Sequence, residues 1–364
     1  MLSTPLGAAA QAAYSELLDV VRHLELSRSI ETLSGSFNRK TVRGIVYWYY
    51  QFTEVDTGKL TQYFIGPDSD PLRALVERAR AKDARSITRL AAAAIAHGCA
   101  GATPTHFRVV RRLNEVGFFR AGGLLIGTHA FLACGNALGV SWGEAARTQD
   151  LDFAHAGSNI ELGLPHLMKV DTASAIERLE AGFLPIPGFR PWEKTASFVS
   201  KTDRSLRVDF LAPMVGGKEA PYEHAELGVR LQPLRFLEFI LEDVGQAVVL
   251  SAVGATLVNV PDPARYALHK MLVYADRRAR NPTKAGKDLL QSAALLEATF
   301  ADREDDYKRL WKDLHARGAG WRARARKGFA ALKKLAPELD ALPMMDSIQR
   351  KFGPTPRKKP AARA

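Results

Sequence analysis

Residues 147–154 read Arg-Thr-Gln-Asp-Leu-Asp-Phe-Ala. A strand over 149–154 puts Asp150 and Asp152 on one face, because side chains alternate along extended backbone, and turns Leu151 and Phe153 toward a core. Two carboxylates one pleat apart repel each other unless a cation lies between them, and hard oxygen ligands of this kind suit magnesium. A solvated acidic edge strand has the same pattern, so the run needs support from elsewhere in the chain.

Two other stretches supply it. Residues 206–211, Leu-Arg-Val-Asp-Phe-Leu, form a strand pattern with Leu206, Val208 and Phe210 on one face and Arg207 and Asp209 on the other. An ionised Asp among apolar strand residues is costly to bury without a partner, and a metal shared with Asp150 and Asp152 would provide one. Residues 122–128, GGLLIGT, read as a short apolar strand, preceded by a flexible Gly122-Gly123 lead and turning at Gly127-Thr128 into a helix over 129–139. Glycine lets a phosphate approach the backbone. Thr128 adds a hydroxyl, and the helix start adds amides and the positive end of its dipole. The bland reading of the same turn is a helix start capped by Thr128.

This order resembles the polymerase-β type of nucleotidyltransferase, in which a small-residue turn is followed by a strand with two alternating Asp and a later strand with a third. Here these are LLIGTHA, RTQDLDFA and LRVDFLA. Over residues 105–300 the chain is similar to bacterial nucleotidyltransferase-like proteins that include the toxins of type IV abortive-infection systems. The run Arg147-Thr148-Gln149-Asp150-Leu151-Asp152 carries that likeness, with Ala267-Leu268-His269-Lys270 and Lys284-Ala285-Gly286-Lys287-Asp288 downstream. Thr128 stands where the family more often has Ser. Asp150 follows Gly127 by 23 residues, a longer gap than in many relatives, to be filled by a helix and a loop around Trp142.

The resemblance implies an enzyme that moves a nucleoside monophosphate, such as AMP from ATP, onto an acceptor hydroxyl and releases pyrophosphate. Two Mg2+ (or Mn2+) ions would be held by the catalytic carboxylates Asp150, Asp152 and Asp209, one on the acceptor side and one on the leaving group. Gly127, Thr128 and Arg147 would bind the nucleotide, Arg147 alternatively pairing with a site carboxylate. Lys270 and Lys287 would carry triphosphate charge, or form a solvated basic helix face. Asp288 reads as a further catalytic carboxylate or as a cap or ion-pair partner on its helix. His129 and His155 flank the motifs and read as structural.

Outward from this core, residues 9–31 have a helical stripe. Residues 36–66 are rich in aromatic and β-branched residues, with turns at Arg43-Gly44 and Asp56–Gly58, and predict a three-stranded meander. It mixes Arg39, Lys40, Arg43 and Lys59 with Tyr47, Trp48, Tyr49, Tyr50 and Tyr63. That mixture suits a nucleic-acid platform or simply the meander's own core. Helices are expected over 70–98 and 104–116, a helix over 172–181, a hairpin over 197–211, a strand pair near 247–261, and helices at 263–278, 284–300 and on to about 336. The fold class is α/β (α+β). We expect an N-terminal helix, meander and helices over 1–103, a mixed-sheet nucleotidyltransferase core over 104–232, a mainly helical part over 233–345, and a basic disordered tail over 346–364.

The 364 residues carry a formal charge of +12, with a pI near 9.7, a field that attracts polyanions. Cys99 and Cys134 lie in no metal or disulfide pattern, which suits a reducing compartment. There is no signal peptide pattern, no apolar run long enough for a membrane, and no HExxH, Walker A or GxSxG motif, so a cytoplasmic location without membrane partners is expected. The acceptor is expected to be RNA, such as a tRNA end, then protein, then a small molecule such as an aminoglycoside. A cognate antitoxin is a further expected partner. The competing reading is a catalytically silent module of the same fold that binds nucleic acid.

Overall fold

The computed structural model describes residues 2–31, 35–53, 60–73, 84–115, 117–120, 122–143, 159–163, 183–185, 197–200, 207–214, 220–224, 229–279 and 281–352. The chain opens with β1 (Thr4–Pro5) and α1 (Ala8–Glu31), then the meander β2 (Gly35–Val42), β3 (Ile45–Thr53) and β4 (Leu60–Pro67). Arg43 and Gly44 both take positive φ, 53° and 80°, as a two-residue hairpin loop requires for its twist to match the strands. The turn at 56–58 lies outside the described residues.

Helices α2 (Ala84–Ala96) and α3 (Pro104–Glu115) lead to β5 (Leu124–Ile126), α4 (Gly127–Leu138) and β6 (Val140–Ser141), which pairs back on β1. Next come β7 (Asn159–Gly163), β8 (Phe183–Pro185), β9 (Ser197–Ser200), β10 (Arg207–Pro213), β11 (Tyr222–His224) and β12 (Val229–Leu234). They form one mixed sheet with β5, in the order β11-β12-β10-β7-β5, with β9 antiparallel to β10 and β8 beyond it. The expected strand over 149–154 and helix over 172–181 lie outside the described residues.

The remainder is α5 (Leu237–Leu241), the hairpin β13 (Val244–Ser251) and β14 (Gly254–Pro261), and helices α6 (Pro263–Arg277), α7 (Pro282–Thr299), α8 (Glu304–Ala316), α9 (Ala319–Leu335) and α10 (Ala341–Lys351). Local chemistry sets two of these starts. Asp262 accepts from the amides of Ala264 and Arg265, and Asn281 from that of Lys284, each at 3.1 Å. In both helices a proline follows at the first position, where its missing N–H costs nothing. The mixed α/β class is as expected.

The β13–β14 hairpin is buried on both faces. Ala247, Val249, Val258 and Val260 join the main core, which runs from Phe107 to Ile348. Val248, Leu250 and Leu257 join a second core built from Leu6, Ala10, Tyr14, Leu17 and Val21 of the N-terminal segment and Ala91 and Ala94 of α2. The Val248 amide donates to the Tyr14 hydroxyl at 3.0 Å. Strand alternation thus makes one hairpin the shared wall of two cores, and packing crosses the expected boundaries at 103 and 232. The amides of Leu2 and Ser3 both donate to the Glu297 carboxylate at 2.7 Å, a further tie of the N-terminal segment to the helical part.

The tail starts later than expected. Residues 346–351 complete α10, because Met345 and Ile348, three apart on one helix face, are buried in the main core, and that burial holds the last turns in place. Residues 353–364 lie outside the described residues.

Helices α9 and α6 approach so closely at Gly328 that a Cβ there would lie 2.5 Å from the Met271 carbonyl oxygen. Alanine is favoured over glycine in a helix by about 1 kcal/mol, yet Gly328→Ala is expected to lower stability by about 1–3 kcal/mol through overpacking. Denaturant titration of the full chain measures it, and a stabilised variant would refute the close approach.

Candidate active site

The site is built where β5 ends. Leu124, Leu125 and Ile126 are buried and pin the strand. Ile126 is extended and occupies the N-cap position of α4 without a side-chain capping bond, and Gly127 takes φ +69°, the left-handed region that favours glycine. Thr128 is therefore inside the first turn, half-buried, and is not the cap. Behind it, His129 bonds ring nitrogen to ring nitrogen with His106 at 3.0 Å, both buried. At least one of the two is neutral, since one nitrogen must accept.

Register carries this turn toward Asp209. Ile126 pairs with Glu161 of β7 across an antiparallel ladder, and Glu161 pairs with Asp209 of β10 across a parallel one. Ser197 of β9 lies opposite Asp209 on the other side. Ile126, Glu161, Asp209 and Ser197 thus form one row across the sheet. Two strand spacings separate the backbone of Asp209 from the residue before Gly127, roughly 10 Å. Val208 and Phe210 are buried while Asp209 is half-buried, the alternation expected from sequence. The place between β5 and β10 is filled by Asn159–Gly163. Asp150, Asp152, Arg147 and His155 lie outside the described residues, and among the described residues no group of three or more His, Cys, Asp or Glu is arranged to hold a metal.

A second group stands beneath the turn. The Tyr266 hydroxyl donates to the Gly127 carbonyl at 2.7 Å. Four residues on, the Lys270 ammonium sits 5.0 Å from the centre of the Tyr266 ring and bonds Asp288 at 3.1 Å, while Arg277 bonds the other Asp288 oxygen at 3.0 Å. Lys270 and Asp288 are both buried. Burial alone would raise the Asp288 pKa, but Lys270 and Arg277 outweigh it and hold the carboxyl below its ordinary 3.8. Asp288 is thus the acid of a buried ion cluster joining α6 to α7, and Ser292, donating to the Ala267 carbonyl at 2.7 Å, joins them again. Lys287, next in sequence, is half-buried.

The structure therefore gathers Gly127, Lys270 and Asp288 through Tyr266, and sets Asp209 in the same row as the turn. Sequence reading passed over Tyr266, Arg277 and Glu161. The four-residue spacing of Tyr266 and Lys270 on one helix face was a readable signal; the pairing of Arg277 with Asp288 across two helices was not.

A family model described as "Nucleotidyltransferase" matches residues 105–316, more than half of the chain, and the protein belongs to that nucleotidyltransferase family. Neither the curated proteins nor the solved structures include a match to it. Among the described residues no helix is long and apolar enough to cross a membrane.

Two predictions concern the buried cluster. Asp288→Asn leaves Lys270 buried without its counter-charge and is expected to cost about 3–5 kcal/mol in chemical denaturation. The double change Lys270→Met with Asp288→Leu should recover most of that loss, and a mild effect of Asp288→Asn alone would mean that the pair is solvated. The second prediction concerns His269. Burial, with Lys270 beside it, pushes its imidazole down to about 3, and among the described residues neither ring nitrogen has a hydrogen-bond partner. The unfolded chain binds this proton near 6.5 and the folded one does not. Its contribution to stability is therefore complete above pH 6.5 and declines as pH falls toward 3, by at most about 1.4 kcal/mol per pH unit. His269→Leu should remove that slope between pH 6.5 and 4; an unchanged slope would assign it to another group.

Proposed function

We propose that this protein transfers a nucleoside monophosphate from a nucleoside triphosphate to an acceptor hydroxyl. The observation that carries this reading is the row across the sheet that sets Asp209 level with the Gly127-Thr128 turn, in a chain of a nucleotidyltransferase family. The turn offers backbone amides and a hydroxyl to phosphate oxygens, and Asp209 offers a hard carboxylate two strands away. A relation to the polymerase-β type and to abortive-infection toxins rests on the run from Arg147 to Asp152, and would add a cognate antitoxin that keeps the enzyme silent.

In this reading Asp150, Asp152 and Asp209 hold the metal. Asp209 fits that role as a half-buried carboxylate, a hard oxygen donor, between buried Val208 and Phe210. Magnesium or manganese, when bound, offsets the phosphate charge and steadies the leaving group. The acceptor oxygen bonds to the α-phosphorus, the bond from that phosphorus to the oxygen bridging to the β-phosphate breaks, and pyrophosphate departs. Asp209 or water takes the hydroxyl proton. Gly127 and Thr128 cradle the phosphates, and Arg147 and Lys287 add positive charge. Lys270, already bound to Asp288, acts as a positioning residue: it stacks on Tyr266, which holds the Gly127 carbonyl and so keeps the turn in place.

The test is incubation of the full chain with each α-labelled nucleoside triphosphate, magnesium and a cell extract. Label is expected on a macromolecular or small-molecule acceptor. It should fall by about 100-fold or more in Asp209→Ala and in Asp150→Ala/Asp152→Ala, the scale of losing several kcal/mol of charge stabilisation. Folded protein that labels nothing with any nucleotide would favour the silent nucleic-acid-binding module.

A further inference from the structure

The meander has two unlike faces. On one, Trp48 is buried, its indole N–H donates to Asp68 at 2.8 Å, and Arg39 lies over its ring. The other face is open. Register places Lys40 opposite Tyr47, and Tyr49 opposite Phe64, so these four side chains share it. Phe64 is 59% exposed, and Ile45 and Val42 at the turn end are 52% and 46% exposed.

The open face has the chemistry of a stacking surface. The Phe64 ring centre lies 5.7 Å from that of Tyr47 and 5.6 Å from that of Tyr49, tilted by 51° and 68°. The rings touch without stacking face to face, which leaves π-faces for other planar groups. Lys40 sits 5.2 Å from the Tyr49 ring centre and bonds Gln62. Asn38, Gln51 and Gln62 form an amide ladder beside the rings, with bonds of 2.9 and 2.7 Å. The described strands carry Arg39 and Lys40 and no Asp or Glu, and Arg43 stands in the turn between β2 and β3. The charges on the described strands are therefore all positive, which complements a polyanion; Asp68, which follows β4, is engaged by Trp48 and Arg73.

We propose that this face binds single-stranded RNA, its bases stacked on Tyr47, Tyr49 and Phe64 and its phosphates held by Lys40 and Arg43. Exposed rings on a sheet take up unstacked bases, which a duplex does not offer. The bound strand's role as acceptor rests on the nucleotidyl-transfer reading above; the binding itself does not.

The experiment is fluorescence anisotropy of the full chain with labelled oligo(U) and oligo(A) of about 12 nucleotides and with a blunt RNA duplex of equal length. Single strands should bind at least about 10-fold more tightly than the duplex. Tyr49→Ala/Phe64→Ala should weaken single-strand binding by about 10-fold or more, with Phe64→Trp keeping it. Lys40→Gln should reduce the slope of log affinity against log salt by about 0.7. Circular dichroism and magnesium–nucleotide binding, measured alongside, should match the parent chain. Equal affinity for the duplex, no single-strand binding by the parent chain, ring variants that bind as it does, or loss of nucleotide binding together with RNA binding would each overturn the proposal. Ring-dependent RNA binding without labelling of any acceptor would instead count against nucleotidyl transfer and leave this proposal standing.

Discussion

A carboxylate taken out of water must be met by positive charge, and in this protein Asp288 is met twice. Lys270 and Arg277 both come from α6, so the buried acid on α7 fixes how the two helices lie against each other. The consequence reaches the sheet. Lys270, held by Asp288, rests on Tyr266, and Tyr266 grips the backbone of Gly127. The left-handed turn that opens α4 is thus supported from the helical layer rather than by its own cap, since Ile126 has no side chain that could cap it.

Much of this was legible along the chain, and what was not shares a physical reason. Strand alternation around Asp209 is a property of neighbouring residues, and half-burial of Asp209 between buried Val208 and Phe210 follows it. The meander and its Arg43-Gly44 turn are likewise local. Alternation alone separates Trp48 from Tyr47 and Tyr49, but which residues of the neighbouring strands join each face, and the row linking Ile126, Glu161 and Asp209, depend on cross-strand register. Asp288 reads from sequence as a ligand or as a cap or ion-pair partner, and helix packing, which brings Arg277 to it, supplies the pairing. The end of α10 was missed for a related reason: basic residues around 350 look like a tail unless the burial of Ile348 is known.

The net charge also acquires a distribution. Several arginines are engaged with acids within the helical part: Arg265 and Arg317 with Glu242, Arg303 with Asp262 and Asp306, Arg324 with Asp276. Arg265 and Arg317 also lie over the ring of Phe239. Their charge organises helix contacts and is partly screened by those acids. The described meander strands carry cations and no acid of their own, with Asp68 beside Arg39 at the end of β4, so charge is not uniform over the surface.

The two-faced hairpin bears on how this protein could have been assembled over generations. Residues 244–261 fall inside the stretch matched by the family model, yet one of their faces is completed by side chains from residues 6–21 and from α2, which precede that stretch. The inherited segment and its N-terminal neighbour are therefore not interchangeable beads on a string. A lineage that exchanged the front of the chain would expose Val248, Leu250 and Leu257 unless the newcomer presented a matching apolar surface. Change at either side of that wall is constrained by the other, so the two parts must diversify together.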